Sequence, residues 1–434
     1  MLISPARRAA FNVLLKVECE DAYAVELLHS AKLDDLSAAD RGLATELAMG
    51  SLRWQGMLDR AISAHISRNI DRLDAEVRVA LRMGAYQLLY LERVPAHAAV
   101  NESVELVRRA RKQSAAPFVN AVLRKVGQNK PEIADANEVA HPAWLVERWR
   151  KNYGEEAAGS ICAYDQQQPE TALRLSAPDV ECELATEGVE LVPGRLLTSA
   201  RRLRSGNLQN TRAFRECRVA AQDEGSQLVA LLAGQANTIL DCCAAPGGKT
   251  ALLAERNPQA RIVAMELHPH RARLLRERVP HVNVEVRTQD ATNLEGSPKF
   301  ECVLADVPCS GTGTLARNPE IRWKLKPSDI GDLQRRQREI LRAALTQVVC
   351  GGRLVYSTCS LEPEECEDVV RTVLAEAPDF SVVPCADELQ HLRDAGELAW
   401  QDLSSLARGD FLRTLPGVHP CEGFFSAILM RNAR

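Results

Sequence analysis

Apolar positions recur along the first 140 residues at the spacing of a helical stripe. In "ARRAAFNVLLKV" they fall at Ala10, Phe11, Leu14 and Leu15. Ser4 and Pro5 precede that run, a capping hydroxyl followed by a residue whose φ is preset for a helix. "LATELAMGSLRWQGMLDRAI" keeps the helical period. "VRVALRMGAYQLLYL" keeps it too, with Leu81, Ala85, Leu88 and Leu89 in one stripe. "VNESVELVRRARKQ" and "APFVNAVLRKV" supply two more helices. No alternating run interrupts them, so residues 1–140 predict an all-α bundle. Residues 141–220 open with one more helix, "WLVERWRKNYG". "ETALRLSA" and "GVELVPGRLL" then alternate as half-buried strands do, which predicts a small α+β linker domain. From 221 to 434 the pattern becomes β-α-β. The strands are "NTILDCCA", "RIVAMEL", "VNVEVRTQDA", "FECVLADVP" and "GGRLVYSTCS". Between them lie the helices "GKTALLAER", "HRARLLRERV" and "LQRRQREILRAALTQVV". Parallel strands alternating with crossover helices predict an α/β fold with a doubly wound, Rossmann-like sheet. "PDFSVVPC" and "GFFSAILMR" predict a closing antiparallel hairpin.

Bulk properties narrow this picture little. The chain has 434 residues, 46% apolar and 26% charged, with a net charge of −4. That suits a soluble protein of about three domains. It excludes a globally basic nucleic-acid binder, although a local basic groove could still hold phosphates. No secretory leader pattern and no membrane-length apolar run is present, so a cytoplasmic location without membrane contact is expected. Thirteen cysteines, an odd number without any CxxC pair, argue against a disulfide scaffold and against zinc. Cys19, Cys162, Cys182, Cys217, Cys302, Cys350, Cys366, Cys385 and Cys421 are expected to be buried packing thiols.

"DCCAAPGGKT" ends like a phosphate-binding loop. With Lys249 in the lysine slot, however, the first Walker A glycine would be Cys243, and Pro246 removes an N–H from the cradle. The dinucleotide fingerprint fails as well, since only Gly247 and Gly248 are present. What remains is a strand ending in Asp241, a tight small-residue turn and a helix start. Carboxylates also follow the next two strands, Glu266 and Asp290. Acids at successive strand ends suit a nucleoside cofactor held without a phosphate grip, such as S-adenosylmethionine. Each acid could instead be a helix N-cap. Further on, the fourth strand ends with Asp306, Pro308 and Cys309, and the fifth with Cys359. Neighbouring strands would bring these ends within roughly 5 Å of each other. A thiol in such a cleft can act as a nucleophile.

"DCCAAPGGKT", "DVPCSGTG", "RNPEIRW" and "GGRLVYSTCSLEPEE", in that order, resemble the RNA cytosine carbon-5 methyltransferases. "GAYQLLYLERVPAHAAVNESVELVR" and "FVNAVLRKV" resemble the NusB-like front domain of the subfamily acting on 16S ribosomal RNA. "VAAQDEGSQLVA" and "EGFFSAILMR" are similar to that subfamily too. The resemblance implies Cys359 as the nucleophile adding to carbon 6 of cytosine. It implies that Asp306 holds and polarises the ring, and that Cys309 helps to expel the enzyme. It also implies an S-adenosylmethionine site lined by Cys243, Ala244, Ala245, Pro246, Gly247, Gly248, Lys249, Glu266, Asp290 and Asp306. No metal is implied. Glu266 stands where the family commonly has Asp, and its carboxylate can still accept two hydroxyls. The implied partner of a monomeric enzyme is 16S ribosomal RNA, free or in an assembling small subunit, presenting an unstacked base. Basic candidates for phosphate contact are Arg108 to Lys112, Arg201 to Arg204, and Arg317, Arg322 and Lys324; each could equally be a solvated face. Trp323 could stack a base or sit in a core. His268, His270 and His281 read as structural or exposed. Two other readings stay open on the residues alone. One is a non-catalytic RNA-binding assembly factor, and the other is a DNA cytosine methyltransferase, in which Pro308-Cys309 would supply the nucleophile.

Overall fold

A computed structural model describes residues 3–20, 22–30, 33, 35–128, 135–294, 296 and 299–433. Two compact units emerge. The first holds residues 1–168 together with 315–324, and the second holds 169–314 with 325–434.

The described residues of the first unit are helical throughout. Ser4 caps the helix Pro5–Cys19, its hydroxyl accepting from the Arg7 N–H, and Ser37 does the same for Ala38–Arg53. "LATELAMGSLRWQGMLDRAI" falls in two helices, Ala38–Arg53 and Gln55–Ser63. Trp54 leaves helical geometry at φ −98°, ψ 13° and sets its ring 4.7 Å from that of Tyr90. Phe11, Leu14, Leu47, Leu58, Leu81 and Leu123 form the core with their neighbours from seven α-helices between Pro5 and Gln128. Each buried Leu contributes roughly 2 kcal/mol. The helices Ala143–Tyr153 and Glu155–Asp165 belong to this unit as well.

The second unit opens with a small antiparallel sheet of β1 (Ala172–Leu175), β2 (Glu190–Pro193), β3 (Arg201–Ser205) and β4 (Val219–Ala221), in the order β2-β3-β1-β4. The first two were expected as strands, whereas Arg201 to Arg204 were expected only as a basic cluster for phosphate contact or a solvated face. β3 hides because its register alternates arginines with Leu203 rather than apolar with neutral residues.

The large sheet contains β5 (Thr238–Asp241), β6 (Arg261–Glu266), β7 (Val284–Thr288), β8 (Phe300–Asp306), β9 (Val348–Thr358), β10 (Phe380–Val383), β11 (Ala407–Arg408), β12 (Phe411–Arg413) and β13 (Phe425–Arg431). The order is β11-β12-β13-β9-β8-β5-β6-β7, with β10 on β13. β5 to β9 run parallel, and β13 is antiparallel to β9. Ile239, Ile262, Leu304 and Val355 face one apolar layer, and Leu240, Val263, Val303 and Leu354 face the other. Burial on both faces explains why these strands read as continuous apolar runs. β10 and β13 do pair antiparallel, but not as a hairpin. About forty residues separate them, including the helix Cys385–Asp394 and strands β11 and β12.

Candidate active site

The order β8-β5-β6-β7 lines up Asp306, Asp241, Glu266 and Asp290 along the carboxyl edge of the sheet. Asp306 and Glu266 end their strands, and Asp290 follows β7 by two residues. Asp241 is 1% exposed. Its Oδ2 accepts the Thr250 hydroxyl at 2.7 Å, while Oδ1 is buried without a partner. Burial, with a smaller contribution from Asp306, pushes its carboxyl up to about 7. Glu266 accepts from the His268 N–H at 2.9 Å. Asp290 accepts from the Thr292 N–H at 2.9 Å, which holds it below the ordinary range.

Cys243 to Lys249 form the turn from β5 into the helix Gly248–Arg256. The Ala244 N–H donates to Met265 at 2.8 Å, and the Gly247 N–H closes the turn onto Ala244 at 2.8 Å. Gly247 sits at φ +108°, a conformation that favours glycine. Burial, reinforced by Asp241, Asp306 and Glu266, pushes the Cys243 thiol far up. Lys249 turns across the edge to Asp306, Nζ to Oδ2 2.7 Å, and lies 5.2 Å from the Phe424 ring centroid. Burial alone would lower the ammonium. Asp306, with help from Cys359 and Asp241, holds it above its ordinary value.

β8 and β9 are parallel neighbours, with Asp306 in register with Ser357. The two strand ends carry Cys309 and Cys359 into sulfur contact, Sγ to Sγ 3.3 Å. Both are free thiols and half-buried. The hydrogen bond to Cys359, then burial, push Cys309 well up. Gly313 locks the turn: its N–H donates to Cys359 O and its carbonyl accepts from the Gly423 N–H, both at 2.8 Å. A Cβ there would stand 2.2 Å from Gly423 O. The carboxylates and glycine turn suit a nucleoside with vicinal hydroxyls, and the orphaned Asp241 oxygen marks the floor of that edge as polar. Among the described residues no group of three or more His, Cys, Asp or Glu side chains could hold a metal.

The pattern described as "16S rRNA methyltransferase RsmB/F" matches residues 228–430. The "NusB family" pattern matches 4–128, and the "RsmF/B-like, ferredoxin-like domain" matches 141–207. A Bacillus subtilis protein named "probable ribosomal RNA small subunit methyltransferase B" is 35% identical, covering 86% of this chain and 89% of its own. The chain belongs to the RsmB/F family of 16S rRNA methyltransferases. It is therefore a methyltransferase of ribosomal RNA, as that membership carries. The Pseudomonas putida "ribosomal RNA small subunit methyltransferase B" is 32% identical over 82% of this chain and 86% of its own. The crystal structure of PH0851 shares the fold, with a TM-score of 0.81 at 24% identity, covering 99% of both chains. NSun6 from Pyrococcus horikoshii with SFG has a TM-score of 0.56 at 19% identity, covering 68% of this chain and 99% of its own.

Several expectations for this family member change. Arg322 is no surface contact. It is fully buried inside the first unit, its guanidinium donating to the carbonyls of Ala140, Asp165 and Leu315. Lys324 reaches Ala22 O at 2.9 Å. Trp323 is partly buried and borders the backbone of Gly56. Carboxylates answer the β3 arginines: Arg201 meets Glu181, Arg202 meets Glu170 and Arg204 meets Glu190. Arg108 and Lys112 are paired in the same way, while Arg109 and Arg111 are exposed. Cys19, Cys182 and Cys350 are exposed and Cys217 is half-buried, because they lie at element ends or on outer faces rather than in apolar stripes. Nothing in the sequence announced the Lys249–Asp306 pair or the contacts of Gly313 and Phe424. Their motifs were legible, but a contact between distant turns carries no local signal.

Proposed function

We propose that the chain methylates carbon 5 of a cytosine in 16S ribosomal RNA through a covalent adduct on Cys359. The observation that carries this reading is the 3.3 Å contact of Cys309 and Cys359 beside the Lys249–Asp306 pair. Glu266 and Asp290 would take the nucleoside hydroxyls of S-adenosylmethionine, with the turn Cys243–Gly248 beneath it. That molecule, when bound, supplies an electrophilic methyl group. Cys359, as thiolate, adds to carbon 6 of the flipped cytosine and raises the electron density at carbon 5. Asp306, held by Lys249, accepts from the ring's amino edge and fixes its orientation. After carbon 5 has gained the methyl group, its proton passes to solvent, the electron pair of that bond re-forms the double bond between carbons 5 and 6, and the bond from carbon 6 to Cys359 breaks with its electrons staying on sulfur. The Cys309 thiol, already hydrogen-bonded to the Cys359 sulfur, stabilises the departing thiolate.

Methyl transfer to unmodified 16S RNA, with nucleoside analysis, tests the reading. Cys359→Ala should form no 5-methylcytosine, and its formation there would remove Cys359 from the nucleophile role. Cys309→Ala should collect a denaturation-resistant protein–RNA adduct; free RNA alone would end its release role. Transfer to DNA but not to RNA would favour the DNA reading.

A further inference from the structure

Glu365, seven residues beyond Thr358 at the end of β9, has no part in the chemistry above, yet it is completely buried between the two cysteine turns. Its Oε1 accepts from the Ser310 N–H and from Gln337 Nε2, each at 2.8 Å. Its Oε2 accepts the hydroxyls of Ser310 and Ser360, the latter at 2.5 Å. Ser310 and Ser360 are the residues that directly follow Cys309 and Cys359, and their hydroxyls stand 3.0 Å apart. Gln337 also donates to Pro308 O at 2.9 Å, on the other side of Cys309. One carboxylate thus receives four hydrogen bonds from both turns and from Gln337 on the helix Pro327–Leu345. A carboxylate is an acceptor-only group with room for that many donors.

We infer that Glu365 is the positioning residue that holds Cys309 and Cys359 in sulfur contact. The inference rests on the functional reading for its consequence in turnover, but its geometric core does not. The two oxygens differ in a way that makes it testable. Oε1 faces two N–H groups that can only donate, so that atom must be oxygen. Oε2 faces two hydroxyls that can turn and accept. A glutamine therefore fits with its amide nitrogen toward the hydroxyls, whereas alanine leaves the Ser310 N–H buried and unpaired and takes from both hydroxyls and Gln337 the acceptor that ties them together.

Phenylarsine oxide reads the geometry without any methylation. Its arsenic bonds two adjacent thiols, and its oxygen leaves as water with their two protons. Capture of Cys309 with Cys359, mapped by mass spectrometry, is expected in the full-length protein. It should slow at least ~10-fold in Glu365→Ala and persist in Glu365→Gln. In methyl transfer, Glu365→Ala should lower kcat about 100-fold, as a displaced reacting group does, with KM for RNA within about threefold. Glu365→Gln should stay within about tenfold of the native rate. Equal arsenical capture in the native and alanine proteins would overturn the inference, as would a glutamine variant as impaired as alanine. Methyl transfer surviving in Cys359→Ala would strike the functional reading instead and leave the arsenical result standing.

Discussion

Asp241 offers the sharpest energetic prediction. Its carboxyl ends β5 at the start of the Cys243–Lys249 turn, 1% exposed, with one oxygen bonded to Thr250 and the other unpartnered. Burial raises it from 3.8 to about 7. Below about pH 4 both the folded and unfolded forms are protonated and nothing is lost. As pH rises from there toward 7, the unfolded chain releases this proton while the native protein keeps it. Stability contributed at this position is therefore present at low pH, falls as pH rises through that window, and is flat above 7. A separation of about three pH units at about 1.4 kcal/mol each gives about 4 kcal/mol between the two ends. Asp241→Asn keeps an oxygen for the Thr250 hydroxyl and abolishes the titration. Any unpaired amide it introduces costs the same at every pH. Urea unfolding of both proteins from pH 4 to 8, followed by amide exchange in β5, isolates the difference from all other titrations. The variant should gain on the native protein steadily up to pH 7. Parallel stability curves across the window would refute a buried, neutral Asp241.

Other predictions are independent of it. Arg322→Ala removes a buried cation from the carbonyls of Ala140, Asp165 and Leu315 and should destabilise the first unit by about 3–5 kcal/mol, read as a lowered unfolding midpoint. Gly313→Ala drives a methyl group into Gly423 O and Cys359 O; about 1–3 kcal/mol and most turnover should be lost while calorimetric S-adenosylmethionine affinity persists. Glu266→Ala should weaken that affinity at least ~10-fold without slowing arsenical capture of the cysteine pair.

Much of this was legible in the sequence, and the omissions have physical causes. The helical stripes of the first unit and the apolar runs of β5, β6, β8 and β9 are local patterns, so both architectures could be read directly. The strand-end acids and the paired cysteines were legible because a parallel sheet puts successive carboxyl ends on one edge. β3 escaped because three of its first four residues are arginines, whose charges are answered by acids elsewhere in the chain. Arg322 escaped for the opposite reason: a cation in a polar motif reads as surface, and only tertiary packing brings the carbonyls of Arg53, Ala140, Asp165 and Leu315 around it. Glu365 stood in plain view within "LEPEE", but its role depends on Ser310, fifty-five residues away.

The central claim is covalent catalysis by Cys359 on an RNA cytosine. Incubating Cys309→Ala with unmodified 16S RNA and S-adenosylmethionine, then digesting the trapped adduct for peptide mass spectrometry, tests it most directly. The account predicts a methylated cytosine attached to the peptide that contains Cys359. An adduct on any other residue, or full 5-methylcytosine formation by a Cys359→Ala protein, would contradict it.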